Sequence, residues 1–126
     1  MSTLRTNTIS NAAGTASVPT DTVVSGTAKA WVNFNGTGVV AIRASFNVSS
    51  ITDNGTGDYT INFTTALANA NYSAVVSASE SASNSVTIAY LRWNLAAPTA
   101  SAYRVQTTND AGTSFDMPYI CSAVFR

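Results

Sequence analysis

Between Ala28 and Thr65 the apolar side chains recur at every second position. Ala28, Ala30, Val32 and Phe34 do so first, Val40, Ile42, Ala44 and Phe46 repeat the pattern after Gly36-Thr37-Gly38, and Tyr59, Ile61 and Phe63 repeat it again. Period two is the signature of a strand with one buried face. The Asn-Gly and Thr-Gly dipeptides that interrupt these runs are hairpin turn chemistry, so the stretch predicts three or four strands.

The pattern continues toward the C-terminus. Thr65 to Asn71 is a short loop, and Tyr72 to Ser79 is a strand with Tyr72, Ala74, Val76 and Ala78 on one side. Glu80 to Ser85 is a solvent loop. Ser85 to Leu95 is a long strand in which Val86, Ile88, Tyr90 and Arg92 alternate with Thr87, Ala89, Leu91 and Trp93. Both of its faces are partly apolar, which predicts a central strand or one that faces a partner subunit. Pro98 turns the chain into Ser101 to Thr108, and Asn109-Asp110-Ala111-Gly112 turns it again. The last strand, Met117 to Phe125, sets Met117, Tyr119, Cys121, Ala123 and Phe125 on one face and must be paired, because an open apolar edge invites aggregation. Seven or eight such strands without a helical period predict an all-β fold: a β-sandwich, jelly-roll-like or Greek-key, over residues 25–126.

The opening segment, residues 1–24, breaks the pattern. It is polar, with Leu4, Ile9 and Val18 as its sizeable apolar groups, and Asn11-Ala12-Ala13-Gly14 and Val18-Pro19-Thr20 interrupt it. It cannot form its own core. It is either a frayed terminus or an extended N-terminal arm laid on another surface, a neighbouring subunit or a larger partner.

Composition sharpens the reading. At 126 residues the chain has room for one domain and a short arm. Six basic and six acidic residues give no electrostatic footprint for nucleic acid or an anionic membrane. Ala, Ser, Thr and Asn make up more than half of the chain, which leaves few bulky groups per strand. A monomer of this kind is thinly packed, and Trp31 and Trp93 are expected between subunits. The lone Cys121 cannot form an internal disulfide and is expected to be a small buried apolar residue. The first ten residues lack the apolar stretch of a secretory signal, and no run of about 18 apolar residues exists, so a soluble protein made in the cytosol and not sent out by an ordinary secretory route is expected. The five Asn-x-Ser/Thr sequons, at Asn35, Asn47, Asn54, Asn62 and Asn71, follow from an Asn- and Thr-rich strand-and-turn composition rather than from glycosylation.

Candidate chemistry is defined by what is missing. Without histidine there is no Ser-His-Asp or Cys-His nucleophile system and no imidazole-based zinc site. No phosphate-cradling glycine motif is present, and Gly36-Thr37-Gly38 are turn residues. Asp53 and Asp58 flank Asn54-Gly55-Thr56-Gly57, and Asp110 and Asp116 flank Gly112; both pairs read as turn-stabilising carboxylates. A weak calcium site at Asp53, Asn54 and Asp58 is the lesser alternative, and paired-carboxylate glycan cleavage a remote one. No cofactor is implied. Trp31, Tyr90, Trp93 and Tyr103, with Arg92 and Arg104, are candidate glycan or interface contacts, since sugar rings stack on aromatic faces. The competing assignment, that the rings fill the core or a subunit interface, is favoured by the dominance of aromatics in both places.

The words AKAWVNFNGTG, AIRASFNVSSITDNGTGDYT and NFTTAL with ANANY resemble a module of tail-fibre and related virion proteins of tailed bacteriophages, including those of cyanobacteria and other aquatic bacteria. The likeness covers residues 27–72, with a looser echo in TLRTNTISNAAGTASVPTDTV. Val39 stands where a Thr is expected, and Leu67-Ala68 where Met or Leu followed by Pro is expected; the turn residues are intact. The resemblance implies a non-enzymatic structural or adhesive virion component with no catalytic motif to carry over. It implies a homotrimeric tail fibre that contacts other virion proteins and a host-surface glycan, and an anchoring role for the arm through Leu4, Ile9 and Val18. A capsid decoration or cement protein is the nearest alternative, and a free carbohydrate-binding module is a third.

Overall fold

The computed structural model describes residues 2–3, 5–79 and 87–126. Eight strands build a β-sandwich. β3 (Ala30–Asn35), β4 (Ala41–Phe46), β7 (Ser73–Ser79) and β10 (Tyr119–Phe125) form the first sheet in the order β4-β3-β10-β7. β5 (Val48–Gly55), β6 (Asp58–Phe63), β8 (Thr87–Leu91) and β9 (Ala102–Asn109) form the second in the order β5-β6-β9-β8. Every neighbouring pair is antiparallel.

The chain changes sheet between β4 and β5 at Asn47, whose φ of 54° is left-handed. Asn tolerates that region better than most side chains. Its amide also clamps the corner: Nδ2 donates to the carbonyls of Lys29 and Thr65 at 3.1 Å each, and Oδ1 accepts the Thr65 N–H at 2.8 Å. At the opposite corner the Thr87 hydroxyl donates to the Ala78 carbonyl at 2.9 Å, tying β8 to β7.

The core is made by the inward positions of both sheets. Val32 and Phe34 from β3, Tyr59 and Ile61 from β6, Val105 from β9, and Ile120 and Val124 from β10 are at most 2% exposed. Phe34 meets Tyr59 edge-on at 5.3 Å, and Phe63, Tyr72 and Tyr103 form a second aromatic group with centroids 5.6 to 6.0 Å apart. Such pairs prefer tilted geometries because ring faces are negative and ring edges positive. Alternation in β3, β6 and β7 thus follows the expected faces.

Three strands depart from it. In β4 the register slips opposite Asn33 and Phe34: Phe34 faces Ile42, while Asn33 faces Ala44. Arg43 is the extra residue of a bulge, which reverses the faces beyond it. Ile42 points inward as expected, but Ser45 replaces Ala44 and Phe46 on the inner side, and Phe46 is 55% exposed. In β10 the inward residues are Ile120, Ser122 and Val124, so the expected face of Tyr119, Cys121, Ala123 and Phe125 is the outer one. Cys121 is therefore exposed, not buried. The strand β8 lies at the edge of its sheet rather than at its centre, and it ends at Leu91, where a turn takes over; the expected loop 80–85 and Val86 lie outside the described residues.

The N-terminal segment forms a small unit of its own. β1 (Thr8–Ser10) and β2 (Ser17–Pro19) make a hairpin closed by Asn11, whose side chain accepts the N–H groups of Thr15 and Ala16, with Gly14 at φ 67°. A short helix, α1 (Thr20–Gly26), follows, where no helix was expected. Pro19 at its start and Asp21 in its first turn suit a helix N-terminus. Seven residues are too few to display a 3.6-residue period.

Candidate functional site

The two outer faces of the sandwich differ in chemistry. On the second sheet, strand pairing sets Asp58 opposite Gln106 and Gln106 opposite Tyr90, and Arg92 follows just beyond β8. Arg104 grips Asp58 with both edges of its fork, Nε to Oδ1 at 2.6 Å and Nη2 to Oδ2 at 2.7 Å. Arg92 stands 3.6 Å from the same carboxylate and donates to Gln106 Oε1. The Tyr90 hydroxyl donates to that oxygen at 2.6 Å, and Gln106 Nε2 donates to the Ser114 hydroxyl at 2.7 Å. Two guanidiniums around one carboxylate leave a rigid polar surface of one net positive charge. The bond to Asp58 raises the already high pKa of Arg104 further. Asn62, donating to the Thr52 hydroxyl at 2.9 Å, and Asn54, donating to that of Thr60 at 2.9 Å, carry the same polar character toward β5.

On the first sheet an apolar row crosses the outer face. Phe46, Trp31, Ala123 and Val75 stand side by side across all four strands, by the pairings Trp31 to Phe46, Trp31 to Ala123 and Ala123 to Val75. Ala44, Asn33, Cys121 and Ser77 form the next row. Trp31 is 40% exposed and Val75 56%. Arg43 lies over the Tyr119 ring, 4.5 Å from its centroid. A shallow depression of about 320 Å³ opens between Trp31, Val75, Cys121 and Ala123.

Of the candidate contacts, the structure gathers Tyr90, Arg92 and Arg104 on the polar face. Trp93 sits in the turn that follows and is 37% exposed. Trp31 lies on the opposite side of the molecule. Tyr103 is removed from the set: it is 3% exposed, faces the core and donates to the Ser122 hydroxyl at 2.7 Å. Alternation alone could not reveal this, because β9 is partly or fully buried along its whole length. Ile9 is exposed and Val18 partly covered in the hairpin, where they pair; Leu4 lies outside the described residues.

The carboxylates of the expected turns are committed to separate tasks. Asp53 caps the Gly55 N–H at 2.9 Å, as an Asx turn requires, whereas Asp58 belongs to Arg104 and Asn54 to Thr60. The three do not converge on a common point. Asp116 does not serve its own turn, which Asn109 closes by accepting the Gly112 and Thr113 N–H groups. It reaches across the sandwich, where Oδ1 accepts the Gly57 N–H at 2.6 Å and the Tyr59 hydroxyl at 2.7 Å; that hydroxyl also lies 3.0 Å from the Gly36 carbonyl. This joins the β3–β4 turn, the β5–β6 turn and the approach to β10. Desolvation and the neighbouring Asp116 both push the Tyr59 hydroxyl pKa far up.

Among the described residues no three His, Cys, Asp or Glu side chains lie together as metal ligands, and no helix is long and apolar enough to cross a membrane. No family model, curated protein or solved structure matches the chain.

Proposed function

We propose that the chain is a non-enzymatic structural module of a tailed-phage virion, a homotrimeric tail fibre or fibre-like component held together through the outer face of its first sheet. The observation that carries this reading is the apolar row Phe46, Trp31, Ala123 and Val75. An antiparallel sheet with a solvated outer face normally alternates apolar-in with polar-out, and here an apolar row crosses all four strands on the outer side. With fully exposed aromatic side chains presenting about 150–250 Å², Trp31, Phe46, Tyr119 and Val75 leave roughly 400 Å² uncovered. A patch of that size on a small domain marks an interaction surface. The resemblance of residues 27–72 to fibre modules supplies the particle context. The polar second-sheet face, with Tyr90, Arg92 and Arg104, is the side left for solvent or a host-surface glycan.

A capsid decoration protein is the second reading, favoured by the N-terminal unit, whose Ile9 and Val24 stand 49% and 63% exposed as a grip on a shell would require. Quantitative mass spectrometry and cryo-electron microscopy of purified particles separate the two. A few copies on the tail support the fibre, hundreds on the head support decoration, and absence from the particle overturns both.

A further inference from the structure

Among the described residues two apolar surfaces lack a cover: the outer face of the first sheet, along its apolar row, and the N-terminal unit. We propose that they cover each other between copies. The hairpin and helix of one chain, led by Ile9, Val23 and Val24, lie on the neighbouring copy's first sheet over Trp31, Val75 and Cys121. The inference rests on the reading that the chain self-associates through this face, and it names the occupant.

The N-terminal unit has little to hold it in isolation. None of the seven residues of α1 is buried, and β1 and β2 are three residues each. Isolated helices shorter than about 12–15 residues are marginal in water, and so is a lone two-stranded hairpin. An ordered unit of this kind needs a surface to lie on. Its own sandwich does not supply the apolar one. Residues 27–29 join α1 directly to β3, with the Lys29 ammonium donating to the Val24 carbonyl, yet Trp31, Phe46 and Val75 stay exposed.

Area and apolar match agree with a second copy as the occupant. The unit carries Asp21 in α1 and Arg5 beside Ile9 and Val24, so its own charges balance and it sets no net charge against Arg43 and Lys29 at the border of the face. The chain has a net charge of zero, so assembling copies accumulates no repulsion. Ile9, Val23 and Val24, which are 49%, 37% and 63% exposed, match the apolar character of the face. A stable interface buries about 800 Å² per partner, about twice what the face alone offers, and the unit adds to it. Two different patches paired head to tail also repeat around a closed ring, covering both patches in every copy. Face-to-face pairing closes at two copies and leaves the unit bare.

Cys121, exposed near the centre of the face and the single cysteine of the chain, makes this testable. In a Val24→Cys variant, diamide takes the two thiol hydrogens and leaves a disulfide wherever residues 24 and 121 meet. The expected products are intermolecular 24–121 bridges mapped by peptide mass spectrometry, with covalent species up to about 39 kDa, three times the 13.1 kDa chain. An Ile9→Cys variant probes the hairpin in the same way. Cys121–Cys121 dimers of the parent chain, a 24–121 bridge within one chain, or an oligomer intact by light scattering in which neither variant bridges to residue 121 overturns the inference while leaving self-association standing. A parent chain that scatters light as a monomer overturns the self-association reading itself.

Discussion

Replacing Asp116 with alanine tests whether one carboxylate locks three turns of the sandwich. The side chain holds the Gly57 N–H at 2.6 Å and the Tyr59 hydroxyl at 2.7 Å. Hydrogen bonds to charged groups contribute about 1.5–3 kcal/mol each, and a buried donor left without an acceptor loses its hydration as well. Tyr59 keeps the Gly36 carbonyl at 3.0 Å, so its loss is partial. Gly57 is buried and keeps nothing equivalent. The expected cost is about 2–4 kcal/mol, a drop in melting temperature of about 8–16 °C for a chain of this size. Asp116→Asn retains a carbonyl acceptor without the charge, so about half of that loss is expected. Tyr59→Phe, which keeps the ring packed on Phe34 and deletes the hydroxyl, costs about 1–2 kcal/mol. Urea denaturation followed by tryptophan fluorescence, at one fixed chain concentration, measures all three, and the double variant gives the coupling. A loss below about 0.5 kcal/mol for Asp116→Ala, the level of an ordinary surface substitution, refutes the proposed lock.

Gly57→Ala is expected to destabilise by about 3 kcal/mol or more, since φ is +65° and the added Cβ would sit 2.4 Å from the Thr107 carbonyl; Gly38→Ala, at φ +62° in open space, costs about 1 kcal/mol, and calorimetry compares the two. Asn47→Ala removes the amide that spans Lys29 and Thr65 and is expected to cost about 2–3 kcal/mol in the same assay, with Asn47→Gly recovering only the backbone part. Burial pushes the Tyr72 and Tyr103 hydroxyls up to about 12 and raises Tyr59 as well. Because these folded-state values lie above the unfolded one of about 10, their stabilising contribution is complete below pH 10 and declines as pH rises through the window from 10 to 12. At pH 11 the three together withdraw about 4 kcal/mol, and a melting temperature that stays flat from pH 9 to 11 contradicts the placement of these tyrosines.

The sandwich was legible where burial on one face imposes strict alternation. Tyr59, Ile61 and Phe63 are such a case, because β6 lies inside its sheet with its inner face in the core. Phe46 was not legible, since the bulge at Arg43 reverses the faces of β4 without leaving a mark in the pattern. Cys121 was misplaced for a related reason. Both faces of β10 carry apolar groups, and only strand pairing tells that Ile120, Ser122 and Val124 are the inner set. The same ambiguity made β8 look central, when its mixed faces belong to an edge strand beside a polar network. That network was half visible: Tyr90, Arg92 and Arg104 are conspicuous in sequence. Gln106, which joins Tyr90 to Arg92 at 5% exposure, is a polar residue in a strand and gives no signal until β8 and β9 are paired. The partnership of Asp116 with Tyr59 spans 57 residues and depends on topology alone.

Self-association through the outer face of the first sheet is best tested by sedimentation equilibrium of the parent chain beside Val75→Asp. Val75 is 56% exposed, so the substitution leaves the single chain's packing intact while setting a carboxylate in the apolar row. The expected masses are about 39 kDa for the parent, three times the 13.1 kDa chain, and a single-chain mass for the variant. A parent that sediments as one chain at every concentration, or a variant that assembles as well as the parent does, would contradict the account.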